Sequence, residues 1–301
     1  MNTNTSNKTK NPKVLVAQME ITPFDQKENF KRAQKYFEIA HKNNCDFIIF
    51  PEKFNGIITI LEYDDYEVRR FIKNIQRLCE KYNIYCIAGS VIIKDGDHHH
   101  NRSHLIGRQG NIIGHYDKVA LYASERKWLQ KGYSLPVFET EFGKIGIQIC
   151  RDLLHPELTL KMKKKGANII FMPSLWSSDS NVYNLYTIRN FSDFPKNSEK
   201  ICLDTLTLAR AIESNVYLVF CNMGGVYESE EKVIDGKRKN IEYYEKSAGR
   251  SSINQSILGK VKLLKSYKED YIVDEIDLSY LTDYDDVYDT FNDDITTYEE
   301  T

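Results

Sequence analysis

The sequence predicts one α/β domain, with a sheet buried by helices. Two observations carry that expectation. Short apolar or β-branched runs alternate with segments of helical periodicity along most of the chain. No linker or break in composition divides the 301 residues, although that length would accommodate two small domains. A hydrophobic share of 41% and an aromatic share of 12% supply a sizeable core.

Residues 13–19 (KVLVAQM) read as the first strand. A turn at 23–25 leads into a helix in which Asn29, Phe30, Ala33, Tyr36, Phe37 and Ala40 recur at helical spacing, and Asn43 and Asn44 end it. Residues 45–50 (CDFIIF) form a second buried strand, followed by Pro51 and Glu52. A helix over 67–81 places Phe71, Ile75 and Leu78 on one face, and residues 85–93 form a third strand. Segments 101–106 and 111–116 pair as a hairpin around 107–110, with Asp117 and Lys118 at its end. After a turn at Gly143 and Lys144, residues 145–149 read as a short buried strand that delivers Cys150. Residues 157–165 form a helix and 168–172 a strand, and 174–198 is a connection of the length that often covers a site. A helix over 199–214 and strands over 216–222, 251–253, 260–264 and 272–276 complete the alternation.

The two ends differ from the rest. Residues 1–12 are rich in Asn, Thr and Lys and read as disordered, which leaves 13–282 as the folded domain. Residues 283–301 carry eight acidic and no basic side chains, so they read as a surface tail or a partner-contacting arm.

Composition removes several function classes. A net charge of −2 gives no electrostatic case for nucleic acid or an anionic membrane, and the longest apolar runs are too short to span a bilayer. Six cysteines lie scattered without CxxC pairs, so neither a disulfide framework nor a zinc site is expected. No charged-then-apolar leader opens the sequence, and a cytoplasmic setting is the expectation. His98, His99 and His100 read as a solvated turn rather than a metal clip, because three adjacent rings do not readily converge.

Three ionisable residues each follow the carboxyl end of an expected strand: Glu52 in IIFPEKF, Lys118 in GHYDKVAL and Cys150 in GIQICRD. Ligands of α/β sheets bind outside such strand ends, so residues distant in sequence can converge there. A carboxylate, an ammonium and a thiol make a coherent set. The first accepts the thiol proton, the sulfur attacks a carbonyl carbon, and the ammonium stabilises the oxyanion. Taken singly, each has a blander explanation: a helix-start charge, a solvated lysine, a small apolar residue ending a core strand.

The blocks FPE, YDKVALYASERKWLQKG and GIQICRDLLHPE resemble the three signature motifs of the nitrilase superfamily of carbon–nitrogen hydrolases. The resemblance extends from Val14 to about Leu281 and takes in VLVAQM, NRSHLIGRQGNIIGHYDK, KGANIIFMPS, ARAIESNVYLVFCNMGG, GRSSI and VDEIDLSYL. It implies a four-layer α-β-β-α sandwich whose members pair through the layer carrying the cysteine helix, so a homodimer or higher homo-oligomer is expected. It implies Glu52 as general base, Lys118 as catalytic lysine, Cys150 as nucleophile and Glu125 as a second glutamate that positions lysine and substrate. The backbone N–H of Arg151 would join Lys118 as the oxyanion hole, and no metal or organic cofactor is required.

Phe54, Tyr122, Asp152, His155, Trp176 and Asn222 are candidate substrate-binding residues, while Tyr183, Tyr186 and Phe191 either line the pocket or pack the long connection. A Cys150–His155 dyad is disfavoured, since five residues along a turn the two need not face each other. Leu153 and Leu154 stand where relatives that take N-carbamoyl amino acids often place arginines, which weakens that substrate class. The expected activity is hydrolysis of a linear amide or N-carbamoyl group on a small metabolite. A nitrilase is the runner-up, its usual Cys–Trp–Glu context differing from Cys150–Arg151–Asp152. A non-catalytic binding protein that keeps only the fold is the alternative from another class.

Overall fold

Two apolar faces of β-sheet packed on each other explain most of the burial in this chain. The structure is a computed structural model, and it describes residues 10–56, 63–180, 195, 197–229, 232–234, 237–239 and 243–288. Tyr183, Tyr186, Phe191, the first nine residues and residues 289–301 lie outside the described residues.

The first half holds β1 (Lys13–Gln18), α1 (Gln26–Lys42), β2 (Phe47–Ile49), α2 (Asp65–Tyr82), β3 (Tyr85–Ile87), β4 (Val91–Asp95), β5 (His98–Ile106) and β6 (Ile112–Asp117). The middle holds β7 (Val137–Thr140), β8 (Gly143–Ile147), α3 (Pro156–Lys164), β9 (Ala167–Ser174), β10 (Ser177–Ser180) and α4 (Ser198–Ser214). The last part holds β11 (Tyr217–Asn222), β12 (Val226–Ser229), β13 (Lys232–Ile234), β14 (Lys237–Lys239), β15 (Tyr243–Ser247), β16 (Ser252–Gln255), β17 (Gly259–Leu263), β18 (Asp270–Glu275) and α5 (Ser279–Tyr288).

One sheet runs β18-β1-β2-β3-β5-β4, with β6 paired to β5; the other runs β17-β16-β11-β9-β8-β7. Strands β1, β2 and β3 are parallel to one another, as are β8, β9 and β11. The period of two in β1 sorts its side chains. Val14 and Val16 face the second sheet and join Ile147, Phe171 and Val219, whereas Leu15 and Ala17 face α1 and join Ala33 and Phe37. Phe47 bridges the sheets, its ring 5.3 Å from that of Phe171 and 5.5 Å from that of Phe142. Helices α3 and α4 cover the outer face of the second sheet through Met162, Leu203 and Ala211. The layers are therefore α-β-β-α, as expected.

Local chemistry explains the helix ends. The Asp25 carboxylate caps α1 by accepting from the Glu28 N–H, and Asp64 caps α2 from the Glu67 N–H. Asn83, at φ +55°, closes α2 in the left-handed conformation that asparagine tolerates.

Several expectations need correction. The strand expected over 85–93 is two strands, because Gly89 at φ +45° breaks the run. The histidine triplet opens β5 instead of lying in a turn; its hydrogen-bonding partner is β4. The connection after Ser174 contains β10, which joins β15 and β12 in a small sheet. Helix α5 runs six residues into the stretch read as an acidic tail: Tyr284 is buried and Asp285 accepts from the Asn215 amide.

At their carboxyl ends the two large sheets are stitched together. The Gly224 N–H donates to Met19 O at 2.8 Å, and the Glu52 N–H donates to Ser174 O at 3.2 Å. The ends of β2, β9 and β11 are thereby held side by side.

Candidate active site

Glu52 follows β2, Lys118 follows β6 and Cys150 follows β8, and the fold brings all three to one buried place. Lys118 Nζ lies 2.7 Å from Glu52 Oε1 and 2.9 Å from Glu125 Oε2. All three charged side chains are about as deeply buried as core leucines, with Glu52, Lys118 and Glu125 each 2% exposed.

The backbone fixes each group. Glu52 accepts from the Leu175 N–H through Oε2 at 3.0 Å, so its carboxylate is held from the β9 side. The Lys118 N–H donates to Asn101 O at 2.9 Å and continues the β5–β6 ladder. Gly89 packs against the peptide before Glu52, where a Cβ would stand 2.1 Å from Pro51 O.

Cys150 itself sits at φ +49°, in the left-handed region that non-glycine residues avoid. Asp152 holds that turn. It is fully buried and accepts from the Ile149 N–H at 2.8 Å, the Ala120 N–H at 2.7 Å and the Tyr116 hydroxyl at 2.7 Å. A short 3-10 turn over Cys150–Leu154 then leads into α3, and Arg210 of α4 donates to Leu153 O at 3.1 Å. Arg151 is the second residue of that turn, directly after Cys150.

Electrostatics set the protonation states. Burial works to strip Lys118 of its proton, but the carboxylates of Glu125 and Glu52 outweigh it and hold the ammonium charged. Burial alone would raise Glu125, yet the ammoniums of Lys118 and Lys53 outweigh that and keep the carboxyl well below the usual range. For Cys150, burial and then the negative charge of Glu52 push the thiol up to about 12, against the pull of Lys118. The resting sulfur therefore carries its proton at neutral pH, and an acceptor must take it during attack.

Two members of the group lay outside the sequence expectation. Asn101 Nδ2 donates to Glu52 Oε1 at 2.8 Å and to Glu125 Oε1 at 3.0 Å, tying the two carboxylates together. Its signal was the hairpin register, which pairs Arg102 with Asp117 and so sets Asn101 beside Lys118. Lys53 Nζ lies 2.8 Å from Glu125 Oε1, and its side chain is 13% exposed.

The substrate-binding candidates divide. Tyr122 and Trp176 are half-buried next to the group: the Tyr122 N–H donates to Glu125 Oε2 at 2.9 Å, and Trp176 adjoins the Leu175 N–H that holds Glu52. Phe54 is fully buried, its ring stacked 5.2 Å from that of Phe50. Asp152 supports the cysteine turn, its two oxygens accepting from three protein donors. Asn222 is fully buried and clamps the Trp176 backbone from both sides while donating to Gly249 O. The His155 side chain is 43% exposed, with its Nδ1 3.3 Å from Glu157 Oε1. Among the described residues, no cluster of three or more His, Cys, Asp or Glu could hold a metal ion, and no helix is long and apolar enough to cross a membrane.

The carbon–nitrogen hydrolase family model matches residues 13–286. The chain belongs to the carbon–nitrogen hydrolase family. Among curated proteins it is similar to the probable hydrolase YhcX of Bacillus subtilis, with 32% identity over 178 residues, 54% of this chain and 34% of that protein. It is also similar to the 2-oxoglutaramate amidase of Bacillus subtilis, with 25% identity over 213 residues, 69% of this chain and 74% of that protein. Among solved structures, Nit3 of Saccharomyces cerevisiae, a member of branch 10 of the nitrilase superfamily, superposes with a TM-score of 0.69 at 21% identity. That superposition covers 92% of this chain and 94% of the yeast protein, and it supports the fold described above.

Proposed function

We propose that this carbon–nitrogen hydrolase cleaves a linear amide or an N-carbamoyl group of a small metabolite through a thioester on Cys150. The observation that carries the reading is the buried convergence of Glu52, Lys118 and Cys150, with Lys118 Nζ 2.7 Å from Glu52 Oε1. Similarity to a 2-oxoglutaramate amidase supports an amide substrate.

Glu52 takes the thiol proton as the sulfur bonds to the carbonyl carbon, and the carbonyl π electrons move to oxygen. Lys118 and the Arg151 N–H stabilise that oxyanion among buried side chains, where charge interactions are strong. The tetrahedral intermediate then collapses. The C–N bond breaks, Glu52 returns its proton to the leaving nitrogen, and ammonia or an amine departs from the thioester. Glu52 next removes a proton from water, the hydroxide adds to the thioester carbon, and the C–S bond breaks to release the acid. The proton held by Glu52 restores the thiol. Positioned acid–base transfer contributes about 10²–10⁴-fold in rate, and much of the remainder falls to the oxyanion donors. Tyr122 and Trp176, half-buried beside the group, are the side chains proposed to shape substrate choice. We further propose that the protein acts as a homo-oligomer.

The test is a panel of amides, ureides and nitriles assayed with wild type and Cys150→Ala. Ammonia released without carbon dioxide identifies amide cleavage, and the two together identify a carbamoyl group. No turnover of any amide or ureide overturns the reading, and a nitrile consumed faster than its amide replaces it with nitrile hydrolysis.

A further inference from the structure

Lys53 is a second ammonium in the catalytic group, and its position is unusual for a residue adjacent to Glu52. In extended chain, neighbours point to opposite sides. Lys53 instead sits at φ +55°, in the left-handed region, so its side chain turns back toward the group that Glu52 enters. Its N–H donates to Ser90 Oγ at 3.1 Å, and its carbonyl accepts from the Gly56 N–H at 2.8 Å. A strained backbone is thus held in place by its surroundings.

The contact it makes fills Glu125. Oε1 of Glu125 receives Lys53 Nζ at 2.8 Å and Asn101 Nδ2 at 3.0 Å, and Oε2 receives Lys118 Nζ at 2.9 Å and the Tyr122 N–H at 2.9 Å. A carboxylate offers about four lone-pair positions, so Glu125 has none left for a substrate N–H. Its work is to hold Lys118, and Lys53 is the outer anchor of that hold.

Charge counting gives the second half of the role. Glu52, Glu125, Lys118 and Lys53 sum to zero while the Cys150 thiol is protonated. Once Glu52 has taken the thiol proton, the same four groups carry one net positive charge opposite the oxyanion. Without Lys53 that balance would be zero, and the oxyanion would face an uncompensated site.

We propose that Lys53 is a positioning residue and the charge-balancing cation of the active site, holding Glu125 and through it Lys118. The role at the oxyanion rests on the hydrolase reading, so the test has a readout that needs no turnover. Iodoacetamide alkylation of Cys150 is followed by peptide mass from pH 4 to 10 in wild type, Lys53→Met, Lys53→Gly and Lys53→Arg. The titratable groups facing Lys53 are Glu125, Glu52 and Lys118, and those facing Cys150 are Glu52 and Lys118. Loss of the cation in Lys53→Met and Lys53→Gly leaves the sulfur harder to ionise and slows labelling across this range by about 10- to 100-fold. Lys53→Arg restores the rate. Glycine relieves the left-handed backbone and methionine does not, so a labelling loss shared by both variants despite different melting temperatures is not a folding defect. Profiles of Lys53→Met and Lys53→Gly that superimpose on wild type overturn the inference, as does a change confined to melting temperature. Absence of amide turnover in wild type would overturn the hydrolase reading alone, since the labelling profiles still decide the role of Lys53.

Discussion

Replacing Asp152 by alanine removes the acceptor for three buried donors at once: the Ile149 N–H, the Ala120 N–H and the Tyr116 hydroxyl, at 2.7–2.8 Å. A hydrogen bond to a charged acceptor contributes about 1.5–3 kcal/mol, and a buried donor left unpaired costs about 1–3 kcal/mol. Contacts that share one carboxylate do not add fully, so the expected destabilisation is about 3–5 kcal/mol. The turn that holds Cys150 at φ +49° loses its lock, and alkylation of the sulfur should become slower and less selective. Chemical denaturation monitored by circular dichroism measures the first effect, and peptide-mapped labelling the second. A stability loss below about 1 kcal/mol, accompanied by a raised KM and unchanged Cys150 labelling, would refute this reasoning and return Asp152 to the substrate pocket.

Other substitutions probe the same frame. Gly89→Ala should fold poorly or displace Glu52, because its Cβ would meet Pro51 O at 2.1 Å from a φ of +45°; a variant with native melting temperature and full activity would contradict this. The acid side of stability should depend on Glu125. Its folded value is depressed, so its contribution is complete above its ordinary 4.5 and fades as pH falls below it. The melting-temperature gap between wild type and Glu125→Gln should therefore narrow below pH 4.5, and a constant gap would show that Glu125 is not held ionised. Lys118 works in the opposite sense: raised above 10.5, its contribution persists at lower pH and fades only as pH climbs past that value.

Much of the fold was legible because burial writes itself into period. The apolar runs 45–50 and 216–222 could only be core strands, and α1 and α2 repeat their buried residues at helical spacing. Elements with little apolar signal were not legible. Strand β7 has three half-buried residues and one exposed residue at a sheet edge, and β10 (Ser177–Ser180) reads SSDS, which has no alternation to see. Helix α5 hides two buried anchors, Leu281 and Tyr284, in a stretch whose acidic composition dominates.

In the site, the residues that end strands were legible and those that depend on backbone handedness were not. Glu52, Lys118 and Cys150 follow from the rule about strand ends. Lys53 does not, since only its positive φ returns it to the side of Glu52. The supporting role of Asp152 was hidden for a related reason: the tight turn after the sulfur directs its carboxylate to the Tyr116 hydroxyl and the Ala120 and Ile149 N–H groups.

The central claim is that Cys150 carries the acyl group. Intact-mass spectrometry of the protein mixed rapidly with a turned-over amide addresses it directly. The expected result is a transient mass gain equal to the acyl group, mapped to Cys150, absent in Cys150→Ala and slower to form in Glu52→Gln. Sustained hydrolysis with no adduct on Cys150, and with Cys150→Ala retaining the rate, would contradict it.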